Sequence, residues 1–530
     1  MSGERIYLFD TTLRDGAQTQ GVDFSVQDKT VIARELDRLG IDYVEGGWPG
    51  ANPTDDAFFA AAPRLENARF TAFGMTRRPG RSADNDPGLA ALVGSGTAAV
   101  CLVGKAWDFH TEVALGIETD ENIAMIRDSI AHLVAKEKEA LFDAEHFFDG
   151  YKANPEFALD CIAAAADGGA RWVVLCDTNG GTLPHEIERI VGEVCEHIPG
   201  DRIAIHCHND TENAVAGSLA AVRAGARMVH GTINGLGERC GNANLVSLIP
   251  TLVLKMGYQT GVTPEGLAQL THVSRLVDEL LNRAPNHHAA YVGDAAFAHK
   301  GGLHVSAVQK DTRSYEHISP ELVGNRRHIV VSDQSGRANV LALMNDAGMA
   351  IDPDHPQLAR LVEEVKEREF NGYTYDGAEA SFELMARRAL GEVPEYFRVD
   401  SYRVTVERRF NAVGKLVTLS EATVKVTVGD EHLMSVAEGS GPVDALNAAL
   451  RKDLGKYSPY FEDWRLVDYK VRILSPNQST GAVTRVMIES ADGAGETWST
   501  VGVSANIIDA SFSALIDSIV YKLVRDKAPV

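Results

Sequence analysis

The sequence predicts an α/β protein: a (β/α)8 TIM barrel, then a helical connector, then a small α+β domain. Three observations carry this expectation. From residue 5 to about 255 a unit of apolar run, polar turn and amphipathic helix recurs eight times. A polar residue follows nearly every run, as the C-terminal strand ends of a barrel require: Asp15, Glu45, Lys105, Glu145, Thr178, His206 with His208, and Asn242. From about residue 398 the apolar period falls to two. A doubly wound open sheet gives the same alternation; the count of eight favours the barrel. The expected domains are 1–265 (barrel), 266–396 (helical connector) and 397–530 (small α+β domain).

The barrel strands are expected at Ile6–Phe9, Tyr43–Glu45, Phe70–Phe73, Ala98–Val103, Leu141–Ala144, Trp172–Cys176, Ile203–His206 and Met228–Thr232. Helical patterns between them include Asp28–Leu39, Asn122–Lys136, Pro155–Ala166, Leu183–His197 and Asn213–Ala224. The connector shows helices at Leu267–Leu281, Arg337–Ala347, Gln357–Glu369 and Ala378–Leu390. It also holds a Gly- and His-rich stretch from Phe297 to Ala307 that includes His299 and His304. So many titratable groups are unusual in a plain linker. In the last domain Arg398–Arg408, Val417–Val428, Val467–Ile473 and Val483–Glu489 alternate as half-buried strands. A weak repeat relates Met434–Leu450 to Ser499–Leu515 at an offset of 65 residues (499 less 434).

At 530 residues the chain exceeds one core, and 45% hydrophobic with 24% charged residues is ordinary for a globular protein. The net charge of −23 argues against nucleic acid or an anionic membrane as partner. No stretch approaches a membrane span, and Met1-Ser-Gly-Glu-Arg5 leads directly into a strand, so no signal peptide is expected. Six cysteines, at 101, 161, 176, 195, 207 and 240, show no CxxC spacing, which points to reduced thiols and a cytoplasmic protein.

The chemistry begins where the first strand empties into Asp10-Thr-Thr-Leu-Arg-Asp-Gly. Arg14 offers a permanent planar cation and Asp15 a hard oxygen ligand. Alone, such a pair is more often a surface ion pair in a turn. His206-Cys-His-Asn-Asp ends the seventh strand, where residues i and i+2 face one side, so both imidazoles can face one metal. Alone, that pair is equally two core histidines. With Asp15 it becomes two His and one carboxylate with positions left open, the pattern of a catalytic metal site. The loop Gly235–Asn242 loosely matches a dinucleotide glycine pattern. It follows the last strand, lacks an acidic ribose ligand, and reads better as a tight loop presenting Asn242 to the metal.

Asp10-Thr-Thr-Leu-Arg-Asp-Gly, His206-Cys-His-Asn-Asp, Gly237-Glu-Arg-Cys-Gly-Asn and Gly302-Leu-His together resemble the family of 2-isopropylmalate, homocitrate and citramalate synthases. These are metal-dependent acyl-CoA condensing enzymes on TIM barrels, and the resemblance spans essentially the whole chain. Tyr43-Val-Glu-Gly-Gly-Trp-Pro-Gly-Ala-Asn-Pro is most similar to the citramalate branch. Thr480-Gly-Ala-Val-Thr and Thr500-Val-Gly-Val-Ser-Ala-Asn-Ile-Ile resemble the family's amino-acid-binding domain.

The resemblance implies that Asp15, His206, His208 and Asn242 hold a divalent ion, Mg²⁺ or Mn²⁺, with Zn²⁺ also compatible with two imidazoles. It implies acetyl-CoA and pyruvate, or another 2-oxo acid, as substrates. Arg14 would stabilise oxyanion charge, Thr178 would bind the keto-acid carboxylate, and Glu145 would line the same pocket. His304 would be the base that takes a proton from the acetyl methyl, assisted by Tyr315, with His299 as rival. The family's connector crosses to a second subunit, which implies a homodimer in which His304 completes its partner's site. Isoleucine or leucine would be the feedback ligand. The chain departs from the family in the loop after the fourth strand, Gly104-Lys-Ala-Trp-Asp-Phe-His110, where His110 is assigned the substrate-facing role.

Other members of the pattern compete. Hydroxymethylglutaryl-CoA lyase needs a Gly-Gly-Cys loop, whereas Cys240 lies within Glu-Arg-Cys-Gly-Asn. Biotin-dependent carboxyltransferases work with a Met-Lys-Met domain that is missing here. A non-enzymatic amino-acid sensor on a dead barrel conflicts with intact Arg14, Asp15, His206, His208 and His304. The choice among pyruvate, 2-oxoisovalerate and 2-oxoglutarate stays open from the residues, because one or two methylenes are worth only about 1–3 kcal/mol.

Overall fold

The computed structural model describes residues 4–61, 63–299, 302–329, 340–341, 344, 349, 352, 355–375, 377–410, 412–452, 454–474 and 482–530. It divides into two compact units. The first runs up to Phe297 and includes Ile318–Arg326; the second comprises Ala298–His317 and Arg327–Val530.

The first unit is a closed parallel barrel of β1 (Tyr7–Asp10), β2 (Tyr43–Gly47), β3 (Arg69–Met75), β4 (Ala99–Lys105), β5 (Glu139–Glu145), β6 (Trp172–Asp177), β7 (Ile203–Cys207) and β8 (Met228–Gly231). β1 closes on β8 with Tyr7 opposite Met228 and Asp10 opposite Gly231. The expected (β/α)8 barrel is therefore the observed one, and all eight expected runs fall on its strands. Side-chain alternation splits the core in two. Phe9, Tyr43, Cys101, Leu141, Trp172 and Met228 fill the barrel interior. Leu8, Val44, Phe142 and Val173, their immediate chain neighbours, pack outward in the larger core shared with the helices. Within the interior Trp172 Nε1 donates to Tyr43 Oη at 3.2 Å, and Tyr43 donates to Glu139 Oε1 at 2.5 Å.

β1 runs one residue further than expected and takes Asp10 into the strand. The carboxylate is buried and accepts from Thr12 N at 2.8 Å and Thr12 Oγ1 at 2.9 Å. Thr12 Oγ1 in turn accepts from Ile233 N at 2.9 Å. Asp10 thus fixes the turn that leads to Arg14 and ties it to the chain after β8.

In the second unit β9 (Ala298–His299) pairs in parallel with β10 (His328–Ile329). A helix at Gly302–Lys310 follows β9, and further helices lie at Pro356–Phe370 and Glu379–Ala389. Most of the helix expected at Arg337–Ala347 lies outside the described residues, as do Lys300, Gly301, Thr480 and Gly481. The C-terminal part holds two antiparallel three-stranded sheets. One is β11 (Arg398–Phe410), β12 (Leu416–Val428) and β13 (Glu431–Gly439); the other is β14 (Arg465–Ile473), β15 (Thr484–Ala491) and β16 (Thr497–Ser504). Each sheet leads into a helix, at Pro442–Lys452 and Ile507–Arg525, whose starts are again 65 residues apart (507 less 442). The repeat seen in the sequence is thus a repeat of strand–strand–strand–helix units. Both share one core, in which Val424, Leu446, Trp464, Ile488, Leu515 and Ile519 are buried.

The small residues of the repeat have a packing reason. A methyl on Gly439 would strike the backbone of Ala445, and one on Gly502 would strike the Ala510 carbonyl, so glycine lets each strand lie against the following helix. In the loops ahead of the helices Ser440 N and Oγ donate to Asp444 at 2.8 and 2.9 Å, and Ile508 N donates to Asn506 at 2.9 Å. Among the described residues, no helix is long and apolar enough to cross a membrane.

Candidate active site

Arg14, Asp15, His206 and His208 meet at the C-terminal mouth of the barrel. Asp15 Oδ2 lies 3.3 Å from His206 Nε2, 4.0 Å from His208 Nε2 and 3.3 Å from Arg14 Nη1. His206 is the fourth residue of β7 and His208 the first beyond it, so alternation turns both rings to one side. Cys207 between them is buried in the outer core, as that alternation requires.

Arg14 is held on three sides. Its Nε donates to Glu45 Oε2 at 2.7 Å, its Nη1 faces Asp15, and its guanidinium carbon stands 3.9 Å from the Phe73 ring centre. The cation thus rests on an aromatic face while its fork is aligned by two carboxylates.

The electrostatics follow from burial. Burial opposes ionisation of Asp15, but Arg14, His206 and His208 outweigh it and hold the carboxyl well below its usual range. Burial, reinforced by His206, pushes His208 down to about 3, so this imidazole is neutral at neutral pH and its nitrogens can act as ligands. Burial outweighs Arg14 at Glu45 and pushes that carboxyl up to about 7.

These residues fit a divalent ion. Asp15, His206 and His208 each bring a ligand atom within 4.8 Å of the others, and all three are buried. Asp15 Oδ1, His208 Nδ1 and both amide atoms of Asn242 are buried with no hydrogen-bond partner among the described residues. Asn242 is brought beside His208 by a single backbone bridge, and its N donates to Gly235 O at 3.2 Å. The loop closes that tightly because Gly241 has φ +90°, where a side chain would run into the Gly235 carbonyl. One carboxylate, two imidazoles and an amide oxygen form an open, mixed donor set, suited to a catalytic rather than a closed structural ion.

Glu145, Thr178 and His110 form a second group on the same barrel. Glu145 ends β5 and forms an ion pair with Lys105, which ends β4. Both line a cavity of about 480 Å³ with Trp48, Met75, Arg77 and Met125. Thr178, one residue past β6, accepts the His146 N–H at 2.8 Å, which leaves its own hydroxyl hydrogen free to donate. His110 stacks on Trp107 at 5.2 Å, and its ring centre is 4.1 Å from that of His146. Burial, with His146 second, lowers its pKa. His304 and Tyr315 belong to the second compact unit, where their ring centres lie 4.2 Å apart; both side chains are exposed.

An HMGL-like family model matches residues 5–277, a homocitrate synthase post-HMGL domain-like model matches 291–371, and a LeuA allosteric (dimerisation) domain model matches 376–523. The (R)-citramalate synthase of Aquifex aeolicus is 50% identical over 99% of both chains, and that of Geobacter sulfurreducens is 50% identical over 98% of both. The (R)-citramalate synthase of Synechocystis is 49% identical over 98% of this chain and 96% of the relative. The chain belongs to the citramalate synthase family. Like the HMGL-like family generally, it offers a divalent-metal site, and its C-terminal part is a dimerisation and allosteric domain.

For a citramalate synthase family member, four buried groups near the mouth were not singled out from the sequence as site residues. Glu45 was noted only as a strand end. Asp143 sits inside β5, with its carboxyl raised by burial and Oδ1 unpartnered among the described residues. His230 sits inside β8, stacked on Phe9 at 4.0 Å and 5.6 Å from the His206 ring, with both nitrogens unpartnered among the described residues. His146 holds φ +57° while its N–H serves Thr178. The available signal was a charged or polar residue interrupting an apolar strand run.

Proposed function

We propose that the chain condenses acetyl-CoA with pyruvate and hydrolyses the resulting thioester, releasing coenzyme A and (R)-citramalate. The carrying observation is the near-full-length identity of about half with (R)-citramalate synthases, joined to a buried Asp15–His206–His208 cluster beside a clamped Arg14.

Asp15, His206, His208 and Asn242 hold the ion, for which Mg²⁺ or Mn²⁺ is the first choice and Zn²⁺ the second. When bound, a divalent ion supplies Lewis-acid polarisation of the keto-acid carbonyl. Arg14 meets the negative charge that develops on the ketone oxygen, and its alignment by Glu45 lowers the reorganisation this needs. Thr178 donates its hydroxyl to the keto-acid carboxylate, a role supported by the His146 N–H already occupying its oxygen. Glu145 and His110 line the keto-acid pocket. His304 takes a proton from the acetyl methyl with Tyr315 beside it, and the resulting enolate carbon attacks the ketone. The active form is a homodimer, and isoleucine is the feedback ligand, with leucine as second choice; the LeuA allosteric (dimerisation) match supports dimerisation and allosteric feedback.

Coenzyme-A release with pyruvate, 2-oxoisovalerate and 2-oxoglutarate tests the reading. A kcat/KM highest for pyruvate is expected. A much higher value for 2-oxoisovalerate would move the chain to isopropylmalate synthesis.

A further inference from the structure

The exposed pair His304 and Tyr315 stands on a buried ionic frame that no catalytic step uses. Glu316 directly follows Tyr315, and its side chain is only 2% exposed, against 46% exposure for Tyr315. Arg327 clamps its carboxylate with a two-nitrogen fork, Nε to Oε1 at 2.5 Å and Nη2 to Oε2 at 2.6 Å. His299 Nε2 lies 3.2 Å from the same Oε1. His299 lies in the β9–β10 ladder, paired with Ile329, and Arg327 directly precedes β10. The backbone is held as well: Tyr315 N and Glu316 N donate to Thr312 O at 3.2 and 3.0 Å. The helix that carries His304 is anchored through buried Val305 and Val308.

A bidentate guanidinium–carboxylate pair fixes direction as well as distance, and a third donor from His299 fixes the carboxylate plane. Since a carboxylate only accepts, His299 Nε2 must carry hydrogen toward Glu316. That nitrogen is therefore committed, and His299 is 92% buried by accessible surface (8% exposed), a poor place from which to take a substrate proton. His304 is exposed and rests against Tyr315.

We infer that Glu316, clamped by Arg327 and His299, is a positioning residue for the condensation: it fixes Tyr315, and through Tyr315 the angle of the His304 ring. His299 is a part of this frame and not a second base. The inference rests on the reading of His304 and Tyr315 as the proton-transfer pair, and the geometry of the frame is independent of it.

The test uses the full-length enzyme with Glu316→Gln, which keeps size and loses charge, and Arg327→Lys, which keeps charge and loses the fork. Two rates are measured: coenzyme-A release with pyruvate, and deuterium exchange into the acetyl-CoA methyl. The keto-acid KM and the thermal midpoint are recorded alongside. Both variants are expected to lose about 10- to 100-fold in kcat and in exchange, the scale of a small misplacement at a reacting centre, with keto-acid KM unchanged. Wild-type exchange rates in both variants would overturn the inference. So would a loss that tracks a fallen thermal midpoint and a raised keto-acid KM, since that is plain destabilisation. His304→Ala is the separate control: full methyl exchange there removes the base assignment, whatever the Glu316 variants do.

Discussion

Arg14 Nε donates to Glu45 Oε2 at 2.7 Å, linking the loop after β1 to the middle of β2. Arg14 is mostly buried, and the Glu45 side chain is fully so. Breaking one partner of a buried pair leaves an uncompensated charge, which costs more than a surface ion pair is worth.

Arg14→Lys should therefore keep the charge but lose the fork and the seat on Phe73. A fall in kcat of about 10²–10³-fold is expected, as for removal of one oxyanion donor, with Mn²⁺ affinity within a few-fold of the parent. Glu45→Gln should lower kcat in the same direction by less. Steady-state coenzyme-A release and Mn²⁺ titration read the two effects apart; an unchanged kcat in Arg14→Lys would remove Arg14 from the reacting centre.

Excess chelator should abolish turnover, and Mg²⁺ or Mn²⁺ should restore it, because the buried Asp15, His206 and His208 cluster offers three ligand atoms to one ion. Asp15→Asn should weaken Mn²⁺ binding by about tenfold or more, a loss seen even when an outer-shell partner of a metal ligand is removed. Full activity under chelator would count against any resident ion.

His304→Ala should still bind keto acid yet lose condensation by about 10²–10⁴-fold, the range of a positioned proton-transfer group. His299→Ala should cost less, since His299 is buried and committed to Glu316. Isothermal titration with pyruvate and single-turnover coenzyme-A release separate binding from chemistry. The opposite ranking of the two variants would exchange their roles.

The barrel was legible because each strand is a short apolar run closed by a polar residue, and burial on both faces produces that pattern directly. Asp15, His206 and His208 were legible for the same reason: two sit at strand i and i+2 and one ends the first loop. Glu45 could not be joined to Arg14, because nothing local couples residues 31 apart. Asp143 and His230 were hidden in the apolar runs that made their strands readable. The clamp of Glu316 by Arg327 is likewise a tertiary contact, and an acid after Tyr315 looks like any exposed charge. In the regulatory domain the repeat was visible, but the contact between its two copies was not, because Tyr402 and Asp509 lie 107 residues apart in the chain.

Feedback is expected to be transmitted through the contact between the two repeats. Tyr402 of β11, in the first repeat, donates its hydroxyl to Asp509 in the helix of the second. Its ring centre also lies 4.5 Å from that of Phe512. A ligand that shifts one repeat against the other must work on this contact, and the coupling it can deliver is about 1–3 kcal/mol, or 5- to 150-fold in affinity. Isoleucine is expected to lower turnover or weaken acetyl-CoA binding, with leucine and valine less effective. Tyr402→Phe removes the hydrogen bond and keeps the ring, so it should raise the isoleucine concentration for half-inhibition several-fold while uninhibited kcat stays unchanged. The three amino acids are titrated against coenzyme-A release in the parent and in Tyr402→Phe. Equal insensitivity of the parent to all three would leave the domain dimerisation alone, and an unchanged half-inhibition point in the variant would place the coupling elsewhere in the domain.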